Sequence, residues 1–270
     1  MATPQLTVKL LLKRSNRSLK KGEKVEDALR TITHLHMYEL GLKHFEDLSH
    51  FTSAMCVYAY DNQLEDLNGI ECLDNLQELQ AQNNKIAEIP MLQPFSLRKL
   101  DLRHNLIKCI KGLDHQIDLQ ELYLSGQSAG PVELPPDCLA PCADTLDKLE
   151  MAECGISHLS ALYPLTRLRF LNLANNNITD FKEIEDLFAH LQNLESVNFS
   201  GNPVTSLPRY REKTIILGQF HELDEKEVLD TQRETYLRMA LRKKKSGKAT
   251  PAPGQTNPTE AIRVHHINTK

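Results

Sequence analysis

The residues of this chain that could do chemistry are few, and each lacks the companion its chemistry needs. Gly126-Gln127-Ser128-Ala129-Gly130 fits the G-x-S-x-G pattern of a serine nucleophile on a strand-to-helix turn. The residues after it, Pro131-Val132-Glu133-Leu134-Pro135, do not start a helix, so the stretch reads as a glycine-rich turn. Cys138 and Cys142 are two potential thiolates without a second pair, whereas zinc takes four ligands. His221-Glu222 lacks the second histidine of H-E-x-x-H, and Gly247-Lys248 has Arg242 where a phosphate-binding loop needs its first glycine. His265-His266 stands in a stretch without apolar periodicity. The reading is of a protein that is not an enzyme, with no catalytic residue, no cofactor and no metal set. The chemistry left to consider is recognition of other proteins by exposed side chains.

The elements that position those side chains come from one recurring pattern, Leu-x-x-Leu-x-Leu-x-x-Asn-x-Leu. Its clearest copies are Leu76, Leu79, Ala81, Asn84, Ile86; Leu97, Leu100, Leu102, Asn105, Ile107; and Leu168, Leu171, Leu173, Asn176, Ile178. The polar position falls at 40, 62, 84, 105, 127, 154, 176 and 202, in steps of 22, 22, 21, 22, 27, 22 and 26 residues. That is the leucine-rich repeat, whose period runs from about 20 to 29 residues. One copy cannot bury its apolar edge alone, so copies stack, each adding one short parallel strand to a continuous sheet. The fold class expected is α/β: a leucine-rich-repeat solenoid of about eight repeats, parallel strands on its concave face, capped at both ends. The polar side chain satisfies backbone groups of the turn that burial would otherwise leave unpaired. Leu40, Gln127 and Cys154 depart from asparagine there. Gln127 precedes the longest step, so a local distortion of the solenoid is expected at that point.

Side chains of a strand alternate in direction, which places two rows on the concave surface. The first reads His36, Tyr58, Gln80, Asp101, Tyr123, Glu150, Asn172, Asn198; the second reads Tyr38, Tyr60, Gln82, Arg103, Ser125, Ala152, Ala174, Ser200. Four of the chain's seven tyrosines thus share one face, three of them in the first two repeats with His34 and His36 beside them. Tyr and Arg dominate interface energies. The expected partner-binding residues are therefore His34, His36, Tyr38, Tyr58, Tyr60, Asp101, Arg103 and Tyr123. The competing expectation is that the aromatics stack only to stabilise the sheet.

Charge is segregated along the chain. Residues 1–22 carry +6, residues 238–270 carry +7, and a total of −4 leaves −17 for residues 23–237. An acidic body with basic ends argues against nucleic acid along the body, where phosphate contacts need clustered Lys and Arg. No run of about 18 apolar residues signals a membrane span, and no leader pattern opens the chain, so no membrane is expected and a cytoplasmic, reducing location with free thiols is. The chain is expected to divide into an N-terminal cap (1–31) with a short helix over 23–30, the repeats (32–207), a C-terminal cap and helix (208–245), and a disordered tail (246–270). Within the repeats, the proline-rich stretch 130–145 reads as an irregular excursion. Phe181, Ile184, Leu187, Phe188 and Leu191 read as an amphipathic helix over 180–191, and 225–243 as another helix.

The ending Gly201-Asn202-Pro203-Val204, Tyr210-Arg211, Leu223-Asp224 resembles the C-terminal cap of the 22-residue leucine-rich class. That class includes regulators of protein phosphatase 1, the spliceosomal A-prime subunit and the axonemal dynein leucine-rich light chain. Leu6-Thr7-Val8-Lys9-Leu10, Ile32-Thr33-His34-Leu35 and the excursion opening at Gln127 are similar to the phosphatase-regulating members. The resemblance covers residues 5 to about 245. It implies a microtubule-associated scaffold of the centrosome, basal body, cilium or flagellum. The partners it implies are the protein phosphatase 1 catalytic subunit and tubulin or axonemal proteins. The alternative is a constitutive subunit of an axonemal dynein or spliceosomal ribonucleoprotein complex. Phosphatase docking often uses Arg/Lys-Val/Ile-x-Phe/Trp. The nearest matches are Arg167-Leu168-Arg169-Phe170, expected to be locked in a strand, and Arg263-Val264-His265-His266, which lacks the aromatic.

Overall fold

A computed structural model describes residues 8–92 and 96–246. Among them one sheet has ten strands in chain order: β1 (His34–His36), β2 (Cys56–Tyr58), β3 (Glu78–Gln80), β4 (Lys99–Asp101), β5 (Glu121–Tyr123), β6 (Lys148–Glu150), β7 (Phe170–Asn172), β8 (Ser196–Asn198), β9 (Glu222–Leu223) and β10 (Lys226–Glu227). Neighbours from β1 to β9 run parallel, and β10 turns back antiparallel on β9. The fold is a leucine-rich-repeat solenoid. The middle residue of each three-residue strand points into the core: Leu35, Val57, Leu79, Leu100, Leu122, Leu149, Leu171 and Val197 are all buried. The parity read from the repeat is therefore the parity of the sheet.

The polar positions form a hydrogen-bonded ladder from repeat to repeat. Asn62 accepts from the Leu40 and Leu42 amides through Oδ1, and its Nδ2 donates to the Met37, Ala59 and Tyr60 carbonyls. Asn84, Asn105, Asn176 and Asn202 repeat the arrangement. Gln127 takes part as well: Oε1 accepts from the Ile107 amide, and Nε2 donates to the Leu102 and Leu124 carbonyls. The distortion expected there is not observed. The carboxamide needed is present at the end of one more methylene, and β5 pairs with β6 in unbroken register. The extra residues of that step leave on the far side of the repeat, where Glu133 bridges Cys109 and Ala140–Cys142 form a 3-10 turn. Cys154 substitutes differently, its thiol donating to the Leu124 and Ala152 carbonyls.

The residue before each polar position has a positive φ: Glu39, Asp61, Asn83, His104, Gly126, Glu153, Asn175 and Gly201. At Gly126 a Cβ would also run into the His104 imidazole, so the first glycine of the G-x-S-x-G pattern belongs to the turn. The Ser128 hydroxyl donates to the Asn105 carbonyl.

The ends close the sheet with recognisable chemistry. Helices α1 (Val8–Arg14) and α2 (Val25–Leu29) form the N-terminal cap and bury Leu11, Leu12, Ala28 and Leu29. Helix α3 (Phe181–His190), where the amphipathic spacing placed it, lengthens the seventh step and buries Ile184, Leu187 and Phe188; the Asp180 carboxylate caps it at the Lys182 amide. Helix α4 (Tyr210–Leu217) explains the cap motif: the Tyr210 hydroxyl donates to the Asp224 carboxylate, which accepts from the Phe199 amide, and Arg211 donates to the Leu223 carbonyl. The helix read over 225–243 is corrected at its start. Asp224 and Glu225 both take positive φ to make the β9–β10 hairpin. Helix α5 (Asp230–Ser246) forms a second unit, with an Arg238–Glu234 pair at 3.0 Å one turn apart. The expected tail, apart from Ser246, lies outside the described residues, as do His265-His266, Arg263-Val264 and Leu6-Thr7. No described helix is long and apolar enough to cross a membrane.

Candidate functional site: the open face of the sheet

The strand register aligns His36, Tyr58, Gln80, Asp101, Tyr123, Glu150, Asn172 and Asn198 as one row on the face away from the core. The same register shows a further row that the sequence reading used only at His34. It runs Cys56, Glu78, Lys99, Glu121, Lys148, Phe170, Ser196. The two-residue alternation implies it, since the residue before a buried strand position points the same way as the one after. The face therefore divides into three regions with different chemistry.

The N-terminal region is aromatic. The His36 and Tyr58 rings stack at 5.0 Å between centroids, and Tyr38 and Tyr60 stack at 4.8 Å within 1° of parallel. His34 lies 6.3 Å from Tyr58, and the Arg14 guanidinium covers the Tyr38 ring at 4.8 Å. His34 is exposed and the other four residues are half-buried. Burial, aided by Cys56 and Glu78, pushes the Tyr58 hydroxyl up to about 12, and burial raises Tyr60 as well. Both stay protonated as hydrogen-bond donors at neutral pH. Partial burial, His34 and Arg14 hold the His36 imidazole below its ordinary value of 6.5, favouring a neutral ring.

The central region is charged and self-compensated. Asp101 is only 2% exposed because Arg103 lies over it, with Nη2 2.6 Å from Oδ2. Tyr123 is 9% exposed, its hydroxyl donating to Glu121 at 2.7 Å. Lys99, Arg103 and Lys148 stand 5.7, 5.1 and 5.0 Å from its ring centre. Glu78 and Glu121 pair with Lys99, and Glu150 with Lys148. Asp101 and Tyr123 share the face with the other six candidates but are covered by their neighbours, and Arg103 is the group presented. At the C-terminal end, Asn172 and Asn198 spend their Oδ1 atoms on the Ala174 and Ser200 amides, and Asn198 also donates to Glu225.

The remaining chemical candidates are structural. Burial raises the Cys138 and Cys142 thiols to about 11 and about 12, which keeps them protonated and poor as nucleophiles or metal ligands. Among the described residues no group of three or more His, Cys, Asp or Glu side chains is arranged to hold a metal. Arg167-Leu168-Arg169-Phe170 is held in place, with Leu168 fully buried and Arg169 bridging Asp147 and Glu195, although of the four only Phe170 lies in a strand.

The family described as Leucine Rich repeats (2 copies) matches residues 166–212. The chain thus carries leucine-rich repeats and folds as a leucine-rich-repeat solenoid. It is 27% identical over 220 residues to leucine-rich repeat-containing protein 23 of Bos taurus, covering 73% of this chain and 64% of that one. It is 29% identical over 171 residues to podocan-like protein 1 of Homo sapiens, covering 54% of this chain and 33% of that one. The chain thus spans less than two thirds of either relative. Among solved structures, an internalin from Listeria monocytogenes superposes with a TM-score of 0.59 at 18% identity, covering 80% of this chain and 67% of that one. These relatives share the repeat, and they indicate no enzymatic family.

Proposed function

We propose that the protein is a non-catalytic scaffold that binds another protein through the aromatic N-terminal third of its sheet. One contrast carries this reading. The central charges of the face already satisfy one another, whereas His34 is exposed and His36, Tyr38, Tyr58 and Tyr60 are half-buried in one contiguous patch whose contacts are mainly ring on ring. Aromatic side chains of this kind supply large contact area at small entropy cost. The stacks hold the rings in place before a partner arrives, which lowers the ordering cost of association. Sheet stabilisation and partner binding are thus compatible roles of the same rings.

The finer reading is a regulatory or targeting subunit of protein phosphatase 1, working at microtubules, the centrosome or the cilium. It is supported by resemblance to protein phosphatase 1 regulatory subunit 42, the testis leucine-rich-repeat protein. That likeness rests on Leu6-Thr7-Val8-Lys9-Leu10, Ile32-Thr33-His34-Leu35 and the excursion opening at Gln127. Because the Arg167–Phe170 segment is held by buried Leu168, by the Arg169 ion pairs and by the start of β7 at Phe170, the phosphatase would be met by the open face. The test is calorimetric titration of the full chain with purified phosphatase catalytic subunit, beside mass spectrometry of what co-purifies with the endogenous protein. Binding abolished by Tyr58→Ala with Tyr60→Ala supports the reading. Absence of phosphatase binding, together with stoichiometric recovery in an axonemal or ribonucleoprotein particle, refutes it.

A further inference from the structure

We infer that a second docking site lies at the N-terminal cap, in a groove between α1 and α2 that accepts an acidic protein segment carrying a bulky apolar side chain. The groove has a volume of about 870 Å³, within the range of sites that engulf a small ligand or a few side chains. Leu12 is recessed at 6% exposure, while Leu19 is 45% exposed and Val25 half-buried. Lys9 and Lys13 form part of its lining, both exposed, four residues apart on α1. Like charges at that spacing repel and weaken the helix, so an anionic partner relieves a tension the free protein carries.

The surrounding charges sharpen the choice. Residues 1–22 hold six cations and no acid. Arg17 is neutralised by Glu23, and Arg14 is committed to the Tyr38 ring and carbonyl. Lys9 and Lys13 have no ion pair among the described residues, and the acid that shares the lining is Glu26. With Arg17 paired to Glu23, the two lysines against the one acid Glu26 leave the lining net positive over an apolar floor, where the centre of the sheet presents paired charge. A membrane surface is the poorer match: helices that lie on bilayers project their apolar face into the lipid, and here Leu12 sits below the rim. An inserted side chain from an acidic segment satisfies both features. This site is separate from the aromatic patch and does not rest on its assignment.

The test uses the full chain with labelled Leu and Val methyl groups and three synthetic peptides of equal length. One is glutamate-rich with two leucines, one has serine in place of those leucines, and one has lysine in place of the glutamates. The expected result is saturable shifts of the Leu12, Leu19 and Val25 methyls with the first peptide, much weaker shifts with the second and none with the third. Lys9→Glu with Lys13→Glu is expected to weaken binding of the first peptide roughly tenfold or more, as loss and reversal of two exposed ion pairs implies. Leu19→Ser should also weaken it, with unchanged thermal melts because all three side chains are exposed. Tyr58→Ala with Tyr60→Ala should leave this binding intact. The proposal is overturned if the serine peptide binds equally, if the variants bind normally, or if anionic vesicles shift the methyls where the peptide does not.

Discussion

Asn176→Ala is the sharpest test of the ladder that orders the repeats. Asn176 is 4% exposed and makes five hydrogen bonds: Oδ1 accepts from the Cys154 and Ile156 amides at 3.0 Å each, and Nδ2 donates to the Met151, Leu173 and Ala174 carbonyls. Truncation does not orphan all of these groups. The Leu173 carbonyl keeps Asn202 Nδ2, and the Ala174 carbonyl keeps the Glu153 amide. The Cys154 and Ile156 N–H groups and the Met151 carbonyl lose the partner Asn176 gives them; the two buried N–H groups alone cost about 1 to 3 kcal/mol each when left without an acceptor, or about 2 to 6 kcal/mol together. Asn177→Ala is the control, since it is the next residue, the same type and exposed; it should change stability by no more than about 0.5 kcal/mol. Asn176→Cys should fall between them, because Cys154 shows a thiol filling the donor part of the role. Urea unfolding followed by circular dichroism reads the midpoint, and an unchanged slope assigns the shift to stability. If Asn176→Ala unfolds at the midpoint of Asn177→Ala, the ladder does not stabilise the turns as argued.

The other predictions concern the core and two titrating groups. Leu171→Ala removes a side chain 2% exposed at the centre of β7 and should cost roughly 2 to 5 kcal/mol through the cavity left, measured by the same unfolding. His36 has a lowered pKa, set by burial first and then by His34 and Arg14. Its protonation therefore opposes folding: its contribution is complete above its ordinary value of 6.5 and is lost as pH falls through the folded value. The stability difference between wild type and His36→Gln should shrink on acidification below 6.5, and a difference that grows there contradicts the assignment. Asp224 has the opposite sign, its pKa raised chiefly by burial. Its contribution is present below the unfolded value and declines as pH rises through the folded one, so Asp224→Asn should flatten the fall of stability across mildly acidic pH.

Much of the fold was legible in the sequence because one period carries both burial and hydrogen bonding. Leu171 and Asn176 sit five residues apart in a pattern that only a stacked turn satisfies, so strand register and ladder followed together. Gln127 was misread because the pattern records residue type, whereas the ladder requires only a carboxamide within reach. The left-handed residue before each rung was legible only in part: Asp61, Asn83, Gly126, Asn175 and Gly201 are types that favour a positive φ, whereas Glu39 and Glu153 are not. The start of α5 was placed too early because Glu225 reads as a helix former, yet it is left-handed in the β9–β10 hairpin. On the open face, alternation was enough to say which side chains share a surface. It could not say that Arg103 folds over Asp101 or that three cations close around Tyr123. Those facts depend on rotamers and neighbouring charges, which the repeat does not encode.

The central claim, that the aromatic end of the sheet is the partner-binding surface, is tested most directly by a quantitative pull-down with two double variants of the full chain. Tyr58→Ala with Tyr60→Ala should lose the main partner while circular dichroism shows the fold intact. Asn172→Ala with Asn198→Ala, whose amides are already spent on the chain's own backbone, should retain it at nearly the wild-type level. The reverse ranking would contradict the account and place the partner at the C-terminal end of the face.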